Sequence, residues 1–118
     1  MTNSITLYHN NRCSKSRAAL ALLEERQLQA NVVYYLETPP SEQEISALLQ
    51  KLGMKARDLL RNKEDEFTTL GLANTQLTEA QLITAMHKHP RLIERPILVV
   101  GDKAVIGRPT ENLLEILP

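Results

Sequence analysis

Two short β-prone runs, separated by a segment of helical periodicity, constrain the fold of this chain most strongly. The runs are Ile5-Thr6-Leu7-Tyr8 and Val32-Val33-Tyr34-Tyr35-Leu36. Between them, small or apolar residues recur at the i, i+3, i+4, i+7 positions of one helix face, namely Ser16, Ala19, Leu20 and Leu23. A helix that connects two neighbouring strands makes those strands parallel. The first third of the chain therefore predicts a β-α-β unit whose helix runs from Cys13 to about Arg26.

The middle of the chain contains two capping boxes, in which a Ser or Thr and a Glu or Gln three residues later satisfy each other's backbone N–H groups. The boxes are Ser41 with Glu44 and Thr78 with Gln81. Gly53 ends the first of the two helices, and Pro90 stops the second. Residues 55–76 are charged and carry few apolar side chains, which predicts short helices. We expect a helical insertion over about residues 41–90.

The last third of the chain predicts a β-hairpin followed by a helix. Residues 97–100 and 103–106 are β-prone and flank Gly101-Asp102, where glycine in the first turn position suits a type II′ turn. Thr110 stands where it would cap the final helix. The order β-α-β, helical insertion, β-β-α resembles the thioredoxin-like arrangement of α/β proteins, with a mixed sheet. We expect residues 1–118 to form a single domain of this kind.

Charge and composition exclude several classes of partner. The chain has 14 basic and 14 acidic residues, so it has no excess charge to hold a polyanion such as nucleic acid. Its 118 residues, 42% of them hydrophobic, are enough to close one core. The N-terminal sequence lacks the pattern of a leader, and no stretch approaches the roughly 18 apolar residues of a membrane span. We expect a soluble cytoplasmic protein that binds neither nucleic acid nor membrane.

The single cysteine, Cys13, is the strongest candidate for chemistry. It has no second cysteine for an internal disulfide, and a four-thiolate metal site within one chain is impossible. It falls at the start of the first predicted helix, where unpaired N–H groups lower a thiol pKa from about 8.5 to between roughly 3.5 and 7.5. Cationic or titratable residues surround it in sequence, namely His9, Arg12, Lys15 and Arg17. This setting favours a reactive thiolate.

The absence of several known motifs argues against further classes of reaction and cofactor. Ser16 stands where a C-x-x-C dithiol has its second cysteine, so the chain cannot resolve its own mixed disulfide. Arg17 lies closer to Cys13 than the arginine of a C-x-x-x-x-x-R phosphatase loop does. The absence of G-x-G-x-x-G and Walker A patterns argues against nucleotide cofactors. His87 and His89 have no third ligand, and we assign neither a metal nor a bound cofactor.

The segment around Cys13 resembles the active-site loop of a known family. It reads His9-Asn10-Asn11-Arg12-Cys13-Ser14-Lys15-Ser16-Arg17 and is similar to the loop of the glutaredoxin-coupled arsenate reductases, the ArsC family. The resemblance continues along nearly the whole chain, through Tyr35-Leu36-Glu37-Thr38-Pro39-Pro40, Leu59-Leu60-Arg61, Leu70-Gly71-Leu72-Ala73, Leu92-Ile93-Glu94-Arg95-Pro96-Ile97 and Arg108-Pro109. Better-known members resemble Cys-Gly-Thr-Ser-Arg, whereas this chain has Ser14 and Lys15 in the middle places. That departure leaves the identity of the oxyanion open.

The resemblance also implies a role for individual residues. Cys13 becomes the nucleophile and His9 a group that tunes it, with Ser16 and Arg17 in support. The implied oxyanion-binding residues are Arg61, Arg95 and Arg108. Planar guanidinium groups suit such a ligand, because they bind two oxygens at once. The resemblance further implies a cis peptide bond before Pro96, although the general preference of X–Pro bonds is trans.

Reduction of arsenate to arsenite requires two electrons, and a single thiol cannot complete it. The resemblance implies that Cys13 attacks arginine-bound arsenate, that glutathione attacks the adduct, and that glutaredoxin removes the resulting mixed disulfide. Two other classes stay open, namely Spx-type regulators that bind RNA polymerase and monothiol glutaredoxin-like transferases. The three arginines and the missing C-x-x-C switch favour the reductase over the regulator.

Overall fold

The computed structural model describes residues 4–118, which form two compact units. The first unit combines the chain up to Thr38 with Arg95–Pro118, and the second is Pro39–Glu94. The helical insertion expected at about residues 41–90 falls within the second unit. The expectation of a single domain stays a prediction. The first three residues, which belong to the stretch used to predict that a leader is absent, lie outside the described residues.

The first unit is built on a four-stranded mixed sheet of order β2-β1-β3-β4. Its strands are β1 (Ile5–His9), β2 (Asn31–Tyr34), β3 (Ile97–Val100) and β4 (Lys103–Ile106). Helix α1 (Ser14–Glu25) connects β1 to β2, which are parallel, while β3 is antiparallel to both β1 and β4. Gly101 has a φ of +61° in the β3–β4 turn, as a type II′ connection requires. The predicted α/β class with a mixed sheet is therefore confirmed.

The core of this unit lies between the sheet and α1. Along β1, burial alternates, and Leu7 is paired with Val32 on one side and Leu98 on the other. Every residue of β3 is buried, as expected of an interior strand. The buried cluster comprises Ile5, Leu7, Ala19, Leu23, Leu98, Val100 and Leu113. Two members of the predicted helix face, Ala19 and Leu23, therefore anchor α1 to the sheet.

Two local expectations were wrong. The second strand ends at Tyr34 rather than Leu36, because the Tyr34 carbonyl accepts hydrogen bonds from the N–H groups of Glu37 and Thr38 and so closes a turn. The final segment, Thr110–Glu115, is a 3₁₀ helix, with hydrogen bonds of the i→i+3 type. Thr110 does not cap it, since the residue in the N-cap position is Pro109.

The second unit is helical. It contains α2 (Glu42–Leu52), α3 (Ala56–Leu59), α4 (Asp65–Thr69), α5 (Glu79–Lys88) and a 3₁₀ turn at Pro90–Leu92. Both predicted capping boxes form, Gly53 ends α2 with a φ of +69°, and α5 ends before Pro90 as expected. Helices α2 and α5 pack together, and their buried side chains are Ile45, Leu48, Leu49, Leu82 and Met86.

The two histidines considered as metal ligands are in the second unit. The ring Nδ1 of His87 lies 2.8 Å from the Pro40 carbonyl oxygen, a contact that joins α5 to the start of the unit. Within residues 4–118, no three His, Cys, Asp or Glu side chains are grouped so that they could hold a metal ion. Over the same residues, no helix has both the length and the apolar character needed to cross a bilayer.

The capping box of α2 provides a test of local stability. The Ser41 hydroxyl accepts a hydrogen bond from the Glu44 N–H at 3.1 Å, and its loss in Ser41→Ala should lower the free energy of unfolding by about 1 kcal/mol. Ser46, exposed within the same helix, is the matched control, because Ser46→Ala removes no cap and favours helix slightly. Urea unfolding of both variants decides the matter, and equal stabilities would contradict the assignment.

Candidate active site

Cys13 lies at the junction of the β1–α1 loop and the helix. It occupies the N-cap position of α1, and only 7% of the residue is exposed. Its N–H donates to the Asn10 carbonyl at 3.0 Å, and its carbonyl accepts from the Arg17 N–H at 2.9 Å, the first bond of the helix. The thiol is therefore held where the unpaired N–H groups of the helix begin.

The loop before Cys13 is held by polar contacts with the first turns of α1. The Asn10 N–H donates to the hydroxyl of Ser16, a fully buried side chain, at 3.3 Å. The Asn10 side-chain oxygen accepts from the Arg12 N–H at 3.0 Å, and Arg17 donates from its guanidinium to the Asn11 carbonyl at 3.1 Å. Ser16 and Arg17, predicted to support the nucleophile, thus fix the conformation of the loop.

Two arginines that are distant in sequence contact the thiol. A terminal nitrogen of Arg108 donates to the Cys13 Sγ at 3.4 Å, and its Nε donates to the Arg95 carbonyl at 2.6 Å. The Arg95 side chain is hydrogen-bonded to the same thiol. The Arg95–Pro96 peptide bond is cis, as the resemblance implied. The structure therefore brings together Cys13, Arg95 and Arg108, three of the predicted site residues.

These groups determine the ionisation of Cys13. Burial raises the pKa of the thiol, but the Arg95 guanidinium and the backbone N–H groups of Ser16 and Lys15 outweigh it and lower the pKa to about 7. The effect is mutual, because burial lowers the pKa of Arg95 while Cys13 and Tyr35 raise it above its ordinary value. Near neutral pH a large fraction of Cys13 is a thiolate paired with a guanidinium.

Two residues that support the arginines were missed from sequence. Asn112, in the final 3₁₀ helix, donates from its side-chain nitrogen to the carbonyls of Arg108 at 3.0 Å and Ile106 at 3.3 Å. Tyr35, only 1% exposed, interacts with Arg95. Nothing in the sequence singles out Asn112, and Tyr35 resembles any aromatic residue of a β-prone run. Both act by positioning an arginine.

His9 is buried beneath the loop, with 2% of the residue exposed, and its ring meets Tyr34 edge-on at a centroid distance of 5.6 Å. Burial lowers the pKa of His9 below 6.5, the Ser16 backbone opposes that shift, and the charge of Arg17 adds to it. The ring is therefore neutral near pH 7. Its role in tuning Cys13 stays a prediction, and would be that of a neutral imidazole.

Arg61 belongs to the second unit. Its Nε lies 3.2 Å from a Glu64 carboxylate oxygen and a terminal nitrogen lies 3.3 Å from Glu94, with 18% of the side chain exposed. Glu64 also contacts Arg91 at 3.3 Å. The guanidinium of Arg61 is thus held between two carboxylates, and its role as an oxyanion ligand stays a prediction.

Comparison with known proteins identifies the family. The sequence model of the ArsC family matches residues 8–116. The chain belongs to the ArsC family.

Several relatives match this chain over almost their full length. The arsenate reductase of Neisseria meningitidis serogroup B is 49% identical, over 96% of this chain and 97% of that protein. A protein of Escherichia coli strain K12 described as the uncharacterized protein YfgD is 51% identical, over 99% of each chain. The solved arsenate reductase of Vibrio cholerae is 47% identical, with a TM-score of 0.95 over 99% of this chain and 100% of that one. The fold is therefore that of the thioredoxin-like ArsC proteins, as predicted.

The guanidinium contact predicts how this ArsC-family thiol titrates. Iodoacetamide labelling of Cys13 against pH should have its midpoint near 7, and Arg95→Gln should move it upward toward the ordinary thiol pKa of about 8.5 to 9.0. Lys15→Gln is the matched control, because it removes a cation two residues from Cys13 in sequence and keeps the backbone N–H that faces the thiol. An unmoved midpoint in Arg95→Gln, or equal movement in both variants, would contradict the contact.

The same ionisation makes stability depend on pH. The thiol pKa is about 7 in the folded protein and about 8.5 to 9.0 when unperturbed, so between these values the unfolded state binds more protons. The thiolate therefore adds to the free energy of unfolding above about pH 9, and this contribution is lost as pH falls to 7. Urea unfolding at about pH 6 and about pH 9.5 should show wild type gaining up to roughly 2.5 kcal/mol relative to Cys13→Ser. The prediction would be refuted if the free energies of unfolding of wild type and Cys13→Ser changed equally between these two pH values.

Proposed function

We propose that this protein is an arsenate reductase in which Cys13 is the nucleophile and glutathione and glutaredoxin complete the reaction. The observation that carries the proposal is the pairing of one thiol of pKa about 7 with two guanidinium groups. The family membership and the relatives named arsenate reductase support it. Both thiol partners require a reducing compartment, which fits the cytoplasm.

The arginines suit a tetrahedral oxyanion. Arg108 directs one terminal nitrogen to the thiol while its Nε is anchored on the Arg95 carbonyl, so its guanidinium is oriented before any ligand arrives. An arsenate oxygen beside the sulfur would accept hydrogen bonds from such groups. A guanidinium group that is already oriented loses little conformational entropy when it binds the anion. We assign Arg61 to the same ligand from the resemblance alone. The departure from the family loop at Ser14 and Lys15 leaves open whether the natural substrate is arsenate or a related oxyanion.

The reaction balances with one protein thiol and two external ones. The Cys13 thiolate forms a bond to the As(V) centre, and one arsenate oxygen leaves with protons as water. A glutathione thiolate then attacks the Cys13 sulfur, and the S–As bonding pair passes to arsenic, which departs as As(III) arsenite. The glutaredoxin thiolate takes the glutathionyl group from Cys13, which returns as a thiolate. A low thiol pKa favours the first and the last step of this cycle. It keeps Cys13 ionised for the attack on arsenic, and it makes Cys13 a good leaving group when glutaredoxin attacks the mixed disulfide.

Coupled turnover tests the proposal. Arsenate-dependent NADPH oxidation, measured with glutathione, glutathione reductase and glutaredoxin, should disappear in Cys13→Ser, because a hydroxyl forms no arsenic–sulfur bond and cannot leave as a thiolate. Arg108→Lys should raise the KM for arsenate by about tenfold or more, since the ammonium group of lysine cannot make the paired hydrogen bonds of the guanidinium group. Ser16→Ala should keep most activity, and Lys103→Gln, an exposed cation on β4, should keep all of it.

Other outcomes of this experiment would reject the proposal in favour of a different class. Wild type that binds RNA polymerase but reduces no arsenate would be a regulator of the Spx type. Wild type that reduces no arsenate but releases glutathione from glutathionylated protein through Cys13 alone would be a monothiol transferase. Circular dichroism of each variant separates lost chemistry from lost fold.

A further inference from the structure

A cavity of about 300 Å³ lies beside the loop that leads to Cys13. It is lined by His9, the loop residues 10–12 and, at and beyond the end of β2, Tyr34, Leu36 and Glu37. All of these residues belong to the first unit. The volume is at the lower end of the range of cavities that bind small organic ligands. The mechanism proposed above for Cys13 and the arginines does not use this space.

The position of the cavity follows from the sheet. Strands β1 and β2 are parallel neighbours, and their last residues, His9 and Tyr34, are paired in register. The cavity therefore lies outside the carboxyl ends of two parallel strands, where α/β proteins bind their ligands. Asn10, one of the lining residues, accepts the Cys13 N–H at 3.0 Å, so the cavity wall and the nucleophile share one turn.

One wall of the cavity is apolar. Tyr34 and Leu36 are 43% and 37% exposed, which makes them two of the large hydrophobic side chains that this chain leaves in solvent. Single exposed residues of this kind need no explanation, but these two line the same cavity. Covering them with the aliphatic or amide part of a ligand would remove apolar surface from water.

Among the remaining lining residues, Arg12, Glu37 and His9 have polar groups without an ion-pair or hydrogen-bond partner among the described residues. Within residues 4–118, the side chains of Arg12 and Glu37 make no ion pair, and both residues are exposed. His9, 2% exposed, has a buried Nδ1 with no hydrogen-bond partner among the described residues. That nitrogen is closed to solvent, so the charged groups open to a ligand in this cavity are those of Arg12 and Glu37.

This set of groups selects the class of ligand. A bare oxyanion would pair with Arg12 but would be repelled by the Glu37 carboxylate, and a wholly apolar ligand would leave both charges unpaired. A ligand with an ammonium group, carboxylates and amide bonds matches one cation, one anion and an apolar wall. A small zwitterionic peptide has these groups.

We propose that this cavity is the binding site for the peptide thiol co-substrate, a thiol of the glutathione class. A carboxylate of the peptide pairs with Arg12, its ammonium group pairs with Glu37, and its amide chain lies over Tyr34 and Leu36. The thiol then enters from the side of the loop that carries Cys13. This assignment rests on the proposed function, because a chain with a single thiol needs an external thiol to complete the reduction.

Binding of S-methylglutathione, which has no free thiol, tests the site without turnover. Titration of the 118-residue chain, followed by amide chemical shifts, should perturb the residues that line the cavity, namely His9, residues 10–12, Tyr34, Leu36 and Glu37. Arg12→Gln and Glu37→Gln should each weaken binding by about tenfold, as expected for loss of one charged partner. Glu25→Gln, an exposed carboxylate at the end of α1, is the matched control and should bind as wild type does.

A kinetic measurement separates a binding role from a structural one. In the coupled assay, Arg12→Gln and Glu37→Gln should raise the KM for glutathione about tenfold while the KM for arsenate and the iodoacetamide midpoint of Cys13 stay unchanged. Shifts located elsewhere, or wild-type affinity in both variants, would overturn the assignment. If arsenate is not reduced but S-methylglutathione still depends on Arg12 and Glu37, the arsenate proposal fails and the cavity assignment stands.

Discussion

The stabilisation of a negative charge on the Cys13 sulfur is the interaction on which the candidate active site depends. Cys13 is 7% exposed, and burial alone would raise the pKa of its thiol. The Arg95 guanidinium and the backbone N–H groups at the start of α1 reverse that effect, and Arg108 adds a donor at 3.4 Å. A chain that placed the same cysteine in an equally buried position without these cations would keep it as an inert thiol.

The sheet brings the two arginines close to the thiol. Arg95 precedes β3 and Arg108 follows β4, so the antiparallel β3–β4 hairpin returns the chain to one end of the sheet. Strand β3 pairs with β1, which leads into the Cys13 loop, and the three segments therefore meet at that end. The Arg108 Nε on the Arg95 carbonyl and the Asn112 side chain on the Arg108 carbonyl then fix the geometry. The pairing of β3 with β1 therefore places Arg95 and Arg108 beside the thiol.

The second unit has a different character. Its helices are stabilised locally, by the two capping boxes and by apolar contacts between α2 and α5. It holds Arg61 through Glu64 and Glu94, an arrangement that restrains the guanidinium and partly neutralises it. An anion that bound Arg61 would have to compete with those carboxylates. A role of Arg61 in oxyanion binding stays a prediction, and it would require at least one of these two ion pairs to open.

The sequence by itself determined the features that depend on near neighbours. These are the β-α-β unit, the capped helices, the hairpin turn at Gly101 and the place of Cys13 at a helix start, because periodicity, caps and turn residues act over a few positions. Resemblance to a family selected Arg95 and Arg108, which composition and spacing could not distinguish from surface cations. Tertiary structure decided that Arg108 contacts a sulfur 95 residues away, that Asn112 holds it, and that the last segment is a 3₁₀ helix. It also opened the cavity between the ends of β1 and β2. Such contacts depend on strand pairing between distant segments, which no local pattern encodes.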